Sequence, residues 1–191
     1  MNKAKRIVSL VAVVIFFAAF QVNTKGYLLF APPLIEQEVI DQRFELQKYQ
    51  MGNIEDMDVS EKEIKASIID SLLAQKALAE KAREENLEIN EKELEKRMER
   101  AMEQAREHKD EKYGIGDYLE AKDLTIDEFF NQHVKEQIRA QLLVDQLHEK
   151  WMEETEKSGA FNELEKKRRE IIESFKQKHQ EEIQEIRKRN L

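Results

Sequence analysis

The sequence has no cysteine, two prolines, five glycines and one tryptophan. Without cysteine there is no disulfide, no thiolate metal ligand, no cysteine nucleophile and no lipid attachment at an N-terminal cysteine. With so little proline and glycine, the chain favours long helices and short connections. No stretch alternates apolar and polar residues over a useful strand length. Catalytic signatures are also missing. There is no G-x-S-x-G, no phosphate-binding glycine loop and no H-E-x-x-H. The four histidines, at 108, 133, 148 and 179, include no pair at i, i+3 or i+4. A metal site needs three or four convergent ligands. Gly114-x-Gly116 lacks a preceding strand and a third glycine, so it reads as a loop. No enzyme activity, cofactor or metal is expected.

What is abundant is charge. Charged residues make up 38% of the 191 positions, and their placement is uneven. Residues 1–31 carry Lys3, Lys5, Arg6 and Lys25 and no acid. Taking those four from the 32 lysines and arginines leaves 28 against 40 acids, a formal −12 for residues 32–191. Such a body is a poor partner for nucleic acid, whose phosphates need a basic face.

The basic "MNKAKR" precedes "IVSLVAVVIFFAAF" (7–20), an apolar run interrupted only by Ser9. That run has the length of a signal-peptide core and falls short of the ~20 residues that span a bilayer. Ala18 suits the −3 position of a cleavage site, but Phe20 at −1 is too large. A second patch, "GYLLFA" (26–31), extends the apolar segment. An uncleaved signal-anchor over 1–31 is therefore expected, with a cleaved, secreted form as the alternative and a buried core helix as a third reading. The bases before the run place residues 32–191 outside the cytoplasm. "APP" (31–33) then stops any helix.

The body is expected to be all-α. "VSEKEI" (59–64), "INEKEL" (89–94) and "LTIDEF" (124–129) share one form. Ser60, Asn90 and Thr125 are N-caps. Glu63, Glu93 and Glu128 reach back to complete capping boxes. Val59/Ile64, Ile89/Leu94 and Leu124/Phe129 are hydrophobic staples. The periodicity predicts helices over 34–51 (closed by Gly52-Asn53), from Ser60 to about Asn86, and from Asn90 to about His108. "DYLEAK" makes a short helix, and a longer one runs from Thr125 to about Glu154. A turn at 156–161 leads into a last helix over about 161–188. That helix has a narrow apolar stripe between dense charges. It needs a surface to lie on, from its own domain or from a second chain. Three segments result: 1–31, a helical module over 32–155, and a charged amphipathic helix over 156–191.

The run 69–101 resembles the N-terminal module of SurA-type chaperones. In that family a leucine-rich helix passes into "A-x-x-x-G-L-x-V-(S/T/N)-x-x-E-(V/L)". Leu72, Leu73, Ala79, Ala82, Asn86, Leu87, Ile89, Asn90, Glu93 and Leu94 fill the pattern, with Asn86 where members often have Gly. The start at 124–129 followed by "QIRAQLLVDQL" (137–147) continues the likeness, which covers roughly 60–155. Members usually carry parvulin prolyl-isomerase domains after this module. Only 36 residues follow Thr155, too few for a domain of about a hundred, so no isomerase activity is implied. The family's C-terminal segment folds back onto the N-terminal module. The helix 161–188 resembles that segment, with "KSGA" (157–160) standing where the isomerase would be inserted. The "V-N-G" entry strand of many relatives is not visible.

The resemblance implies an ATP-independent, extracytoplasmic chaperone that holds unfolded or exported polypeptides. The residues expected to contact them are apolar and adaptable: Met98, Met102, Tyr113, Tyr118, Phe129, Phe130 and Trp151. The helix from Thr125 carries more apolar residues than one face needs, which points to an exposed groove. The rival reading is a membrane-tethered assembly protein that binds one partner, or a second copy of itself through 161–188, as a homodimer. A degenerate isomerase, or an accessory subunit of one, is a further reading.

Overall fold

The computed structural model describes residues 33–51, 59–111, 114–158 and 161–191. Among them, all regular structure is helical. The elements are α1 (Gln37–Met51), α2 (Glu61–Glu84), α3 (Glu91–Glu107), α4 (Gly116–Ala121) and α5 (Ile126–Phe129). A π-helical turn (Phe130–Val134), α6 (Lys135–Ser158), α7 (Phe161–Lys178) and α8 (Gln180–Asn190) follow. No helix among the described residues is long and apolar enough to cross a membrane. The expected signal-anchor over 1–31, the Gly52-Asn53 stop and Tyr113 lie outside the described residues.

Local chemistry fixes most boundaries. Ser60 accepts from the Glu63 N–H at 3.3 Å and donates its own N–H to Glu63 Oε2 at 2.8 Å. Thr125 and Glu128 repeat the reciprocal pair at 3.2 and 2.9 Å. These are two of the three expected capping boxes. The third does not form: Asn90 accepts from the Lys92 N–H at 3.0 Å, one residue early, and caps α3 alone. The first staple is also open, because Val59 is 41% exposed while Ile64 is buried. Helix ends follow one recipe twice. Asn86 takes φ 58 and Asp123 takes φ 51, the left-handed region that Asn and Asp tolerate best among non-glycine residues. The Leu87 N–H then bonds the Ala82 carbonyl and the Asn86 N–H the Arg83 carbonyl. Leu124 and Asp123 repeat this on Leu119 and Glu120. Both ends are Schellman motifs, which satisfy the last free carbonyls.

α2 lies at the centre, against α1, α6, α7 and α8. Three apolar clusters surround it. The first joins α1 (Ile40, Phe44), α2 (Ile68, Ile69, Leu72), α7 (Phe175) and α8 (Ile183, Ile186). The second joins Leu46 of α1 with α3, α4, α5, the π turn and the start of α6. The third joins α2 (Leu78, Ala82), α6 (Leu143, Leu147, Trp151) and α7 (Leu164). Residues 161–191 thus complete the first and third clusters and belong to the same body as α1–α6.

The C-terminal segment departs from expectation in one respect. The single helix over 161–188 is broken at His179 (φ −111, ψ 25). The break lets α8 turn along α2. There Arg187 Nη2 and Lys176 Nζ meet Asp70 Oδ1 at 2.8 and 3.3 Å. The Gln37 and Asn190 side chains exchange amide hydrogen bonds at 2.6 and 3.0 Å, which joins the start of α1 to the last helical residue.

Candidate polypeptide-binding cleft

The sequence placed the binding surface on seven apolar residues. The structure puts five of them inside. Phe129 and Phe130 are 1% exposed, Tyr118 and Trp151 2%, and Met98 6%. Met102 is partly buried against the second cluster. Tyr49, Tyr118, Phe129 and Phe130 form a chain of edge-to-face contacts with centroids 5.6, 5.7 and 5.8 Å apart, a favoured geometry for aromatic rings. Among the six described residues of the set, the expected open groove is not formed.

The physical reason is two-sided packing. The apolar surplus of 126–158 is used first against α1, α3 and α4, and then against α2 and α7. The π turn begins at Phe130, and an inserted residue in the helical ladder shifts the phase of everything after it. Phe129 and Phe130, adjacent in sequence, are both buried, as Leu72 and Leu73 are on α2. His133 sits in the same turn, 5.8 Å from the Phe129 ring. Burial holds its imidazole below the ordinary histidine range, and the charge of Glu38 opposes that only in part.

Two concavities stand out among the described residues. The larger, about 520 Å³, lies under the glycine loop and is lined by Asp110, Asp117, Glu120 and Asp123. Its glycines serve backbone approach. The Gly114 N–H bonds the Glu111 carbonyl at 2.7 Å and the Gly116 N–H the Lys109 carbonyl at 3.0 Å. A Cβ on either would meet the carbonyl of Lys109. Among the described residues no group of three or more histidines, aspartates or glutamates is placed to hold a metal. So acidic a concavity does not suit apolar segments.

The second concavity, about 320 Å³, lies between α6 and α7 and is lined by Trp151, Glu154, Thr155, Leu164, Lys167 and Glu170. Lys167 Nζ stands 4.7 Å from the centre of the indole and 3.3 Å from Glu154 Oε2. The cation therefore covers the ring face, a favourable arrangement. The indole Nε1 is sealed from solvent and has no acceptor. A donor left in that state costs roughly 1–3 kcal/mol. The cleft thus offers an apolar wall (Trp151, Leu164) and a mixed-charge rim, a combination suited to a short extended segment. Only Trp151 of the expected set reaches it. Lys167 and Glu154 were not singled out in the sequence, because charges among many other charges read as solvated surface, and Leu164 was read as part of the apolar stripe of the last helix. No protein-family model matches the chain, no curated protein matches it, and no solved structure matches it.

Proposed function

We propose that the protein is a membrane-tethered, extracytoplasmic helical module of the SurA type, without an isomerase, that holds unfolded or exported polypeptides independently of ATP. The observation that carries this reading is the return of the C-terminal segment. α7 and α8 cross α2 and meet α1 at Gln37–Asn190, as the family resemblance leads one to expect. By the SurA-type resemblance an isomerase would follow α6, and the α6–α7 cleft is lined by Trp151 and Thr155 near the end of α6 and by Leu164 near the start of α7. Clients would enter that cleft as short extended segments. The acidic surface would keep the complexes soluble. With no nucleotide motif, release follows client folding or competition. The test is light scattering from an aggregating client: suppression without ATP supports the reading, and none at several-fold excess rejects it.

A specific observation favours the second reading, a scaffold for one dedicated partner. Among the described residues, the large apolar side chains left exposed are Tyr49 and Val59, and a general holding chaperone gains from more apolar surface than that. A homodimer through residues 161–191 is the weaker form of this reading, because the buried stripe of Phe175, Ile183 and Ile186 is already used in cis.

A further inference from the structure

The α6–α7 cleft holds a cation of its own. Trp151 and Glu154, at i and i+3, share one face of α6. Glu163, Lys167 and Glu170, at i, i+4 and i+7, share one face of α7. All five line the cleft. An aromatic face beside a carboxylate attracts a positive charge twice, through the ring quadrupole and through the anion. Lys167 Nζ sits in that arrangement, 4.7 Å from the centre of the indole and 3.3 Å from Glu154 Oε2. Trp151 and Glu154 thus form a cation subsite, and Lys167 fills it from within.

The lysine is loosely held. Its side chain is 43% exposed and that of Glu154 53%. An ion pair so open to solvent contributes little, and the lysine stem is flexible. The indole is 2% exposed with Lys167 over it, so entry to the ring from the cleft requires that lysine to move. Once it moves, the lining has Glu154, Glu163 and Glu170 against one amine, Lys166, which pairs with Glu170 at 3.8 Å. Such a rim favours a positive group over a negative one, as does the formal −12 of residues 32–191. About 320 Å³ is at the small end of ligand pockets, which suits a side chain and its neighbours rather than a folded partner. We propose that the cleft takes an extended polypeptide segment carrying a lysine or arginine, whose cationic head displaces Lys167 from Trp151 and Glu154. Lys167 is then a built-in competitor that keeps the empty site closed. This inference rests on the polypeptide-holding reading for the origin of the segment and adds which segments are chosen.

The experiment titrates the full chain, in neutral detergent at constant ionic strength, with three capped peptides. One is leucine-alanine-lysine-alanine-leucine, and the others carry norleucine or glutamate at the centre. The emission of Trp151, the single tryptophan, reports binding. The lysine peptide should saturate the signal, and the other two should need about tenfold more peptide. Lys167→Ala removes the competitor and should tighten the lysine peptide about fivefold, the equivalent of roughly 1 kcal/mol. Adding Glu154→Gln to Lys167→Ala should reverse that gain, because both cations use the same carboxylate. Equal binding of the three peptides, or a lysine peptide that Lys167→Ala leaves unchanged or weakens, would overturn the displacement. No saturable change with any peptide, while client aggregation is still suppressed, would overturn the subsite and leave polypeptide holding to another surface. Selective binding of the lysine peptide with client aggregation undiminished would reject general holding and leave the subsite standing.

Discussion

The fold depends on α8 lying on α2, and the double substitution Ile183→Ala with Ile186→Ala measures how much. Ile183 and Ile186 are 7 and 9% exposed and share the first cluster with Ile68, Ile69, Leu72 and Phe175. Buried Ile→Ala changes cost about 2–5 kcal/mol each. Both sites keep some exposure and sit near the chain's end, where the structure relaxes readily, so the low end applies. They are one turn apart and share neighbours, so their costs do not add fully. A loss of about 3–4 kcal/mol is expected, a large part of the 5–15 kcal/mol of a typical domain. For a chain of this size that is a fall of about 6–16 °C in Tm. Urea unfolding at neutral pH reads the loss as a lower midpoint with an unchanged slope. Light scattering in the same buffer reads the mass, and both proteins should be monomers. An unchanged midpoint would refute cis packing. So would a wild-type dimer that the double variant converts to monomers, because the stripe would then face a second chain.

Other outcomes follow from single sites. Glu63 and Glu128 are held below the ordinary glutamate range by their hydrogen bonds to Ser60 and Thr125. The stability they supply is present above the unfolded pKa and lost as pH falls through the folded one. A carboxyl NMR titration should find both among the lowest glutamates, and ordinary values would rule out the boxes. His133 is depressed by burial, so its contribution is full above about pH 6.5 and declines as pH falls below it. His133→Gln should therefore flatten the stability profile between about pH 5 and 7, and a profile parallel to wild type would contradict the burial. Asn86 holds φ 58. Asn86→Gly should be neutral or stabilising, whereas Asn86→Val should cost about 1–2 kcal/mol. Equal midpoints for the two would argue against the left-handed cap.

The helix starts were legible because their chemistry is local. Ser60 and Thr125 announce α2 and α5 within four residues, and Asn86 marks the end of α2. His179 was legible only as an interruption of the apolar stripe, not as a break in the helix. No glycine or proline marks the break, beyond which Ile183 and Ile186 lie on the first cluster. The π turn was not legible either, because adjacent buried residues such as Phe129 and Phe130 also occur on regular helices, as Leu72 and Leu73 do on α2. The apolar surplus of the segment after Thr125 suggested a groove, because periodicity counts apolar residues without saying how many neighbours will cover them. Two-sided packing is a tertiary property. The burial of Arg43 Nε and Nη2 was not legible for the converse reason. A charged residue on a mixed helix reads as surface unless its i−4, i+3 and i+7 neighbours, here Val39, Leu46 and Gln50, are seen to be buried.

Polypeptide holding is tested most directly in one cuvette. Trp151 is the single tryptophan of the chain and lines the α6–α7 cleft. Its fluorescence reports the site while light scattering reports a tryptophan-free client as it aggregates without ATP. Suppressed scattering at substoichiometric to equimolar ratios, with Trp151 emission changing over the same range, is the outcome expected of a holding chaperone that uses this cleft. Undiminished scattering at several-fold excess, with Trp151 emission unmoved, would contradict it and turn the search to one dedicated partner.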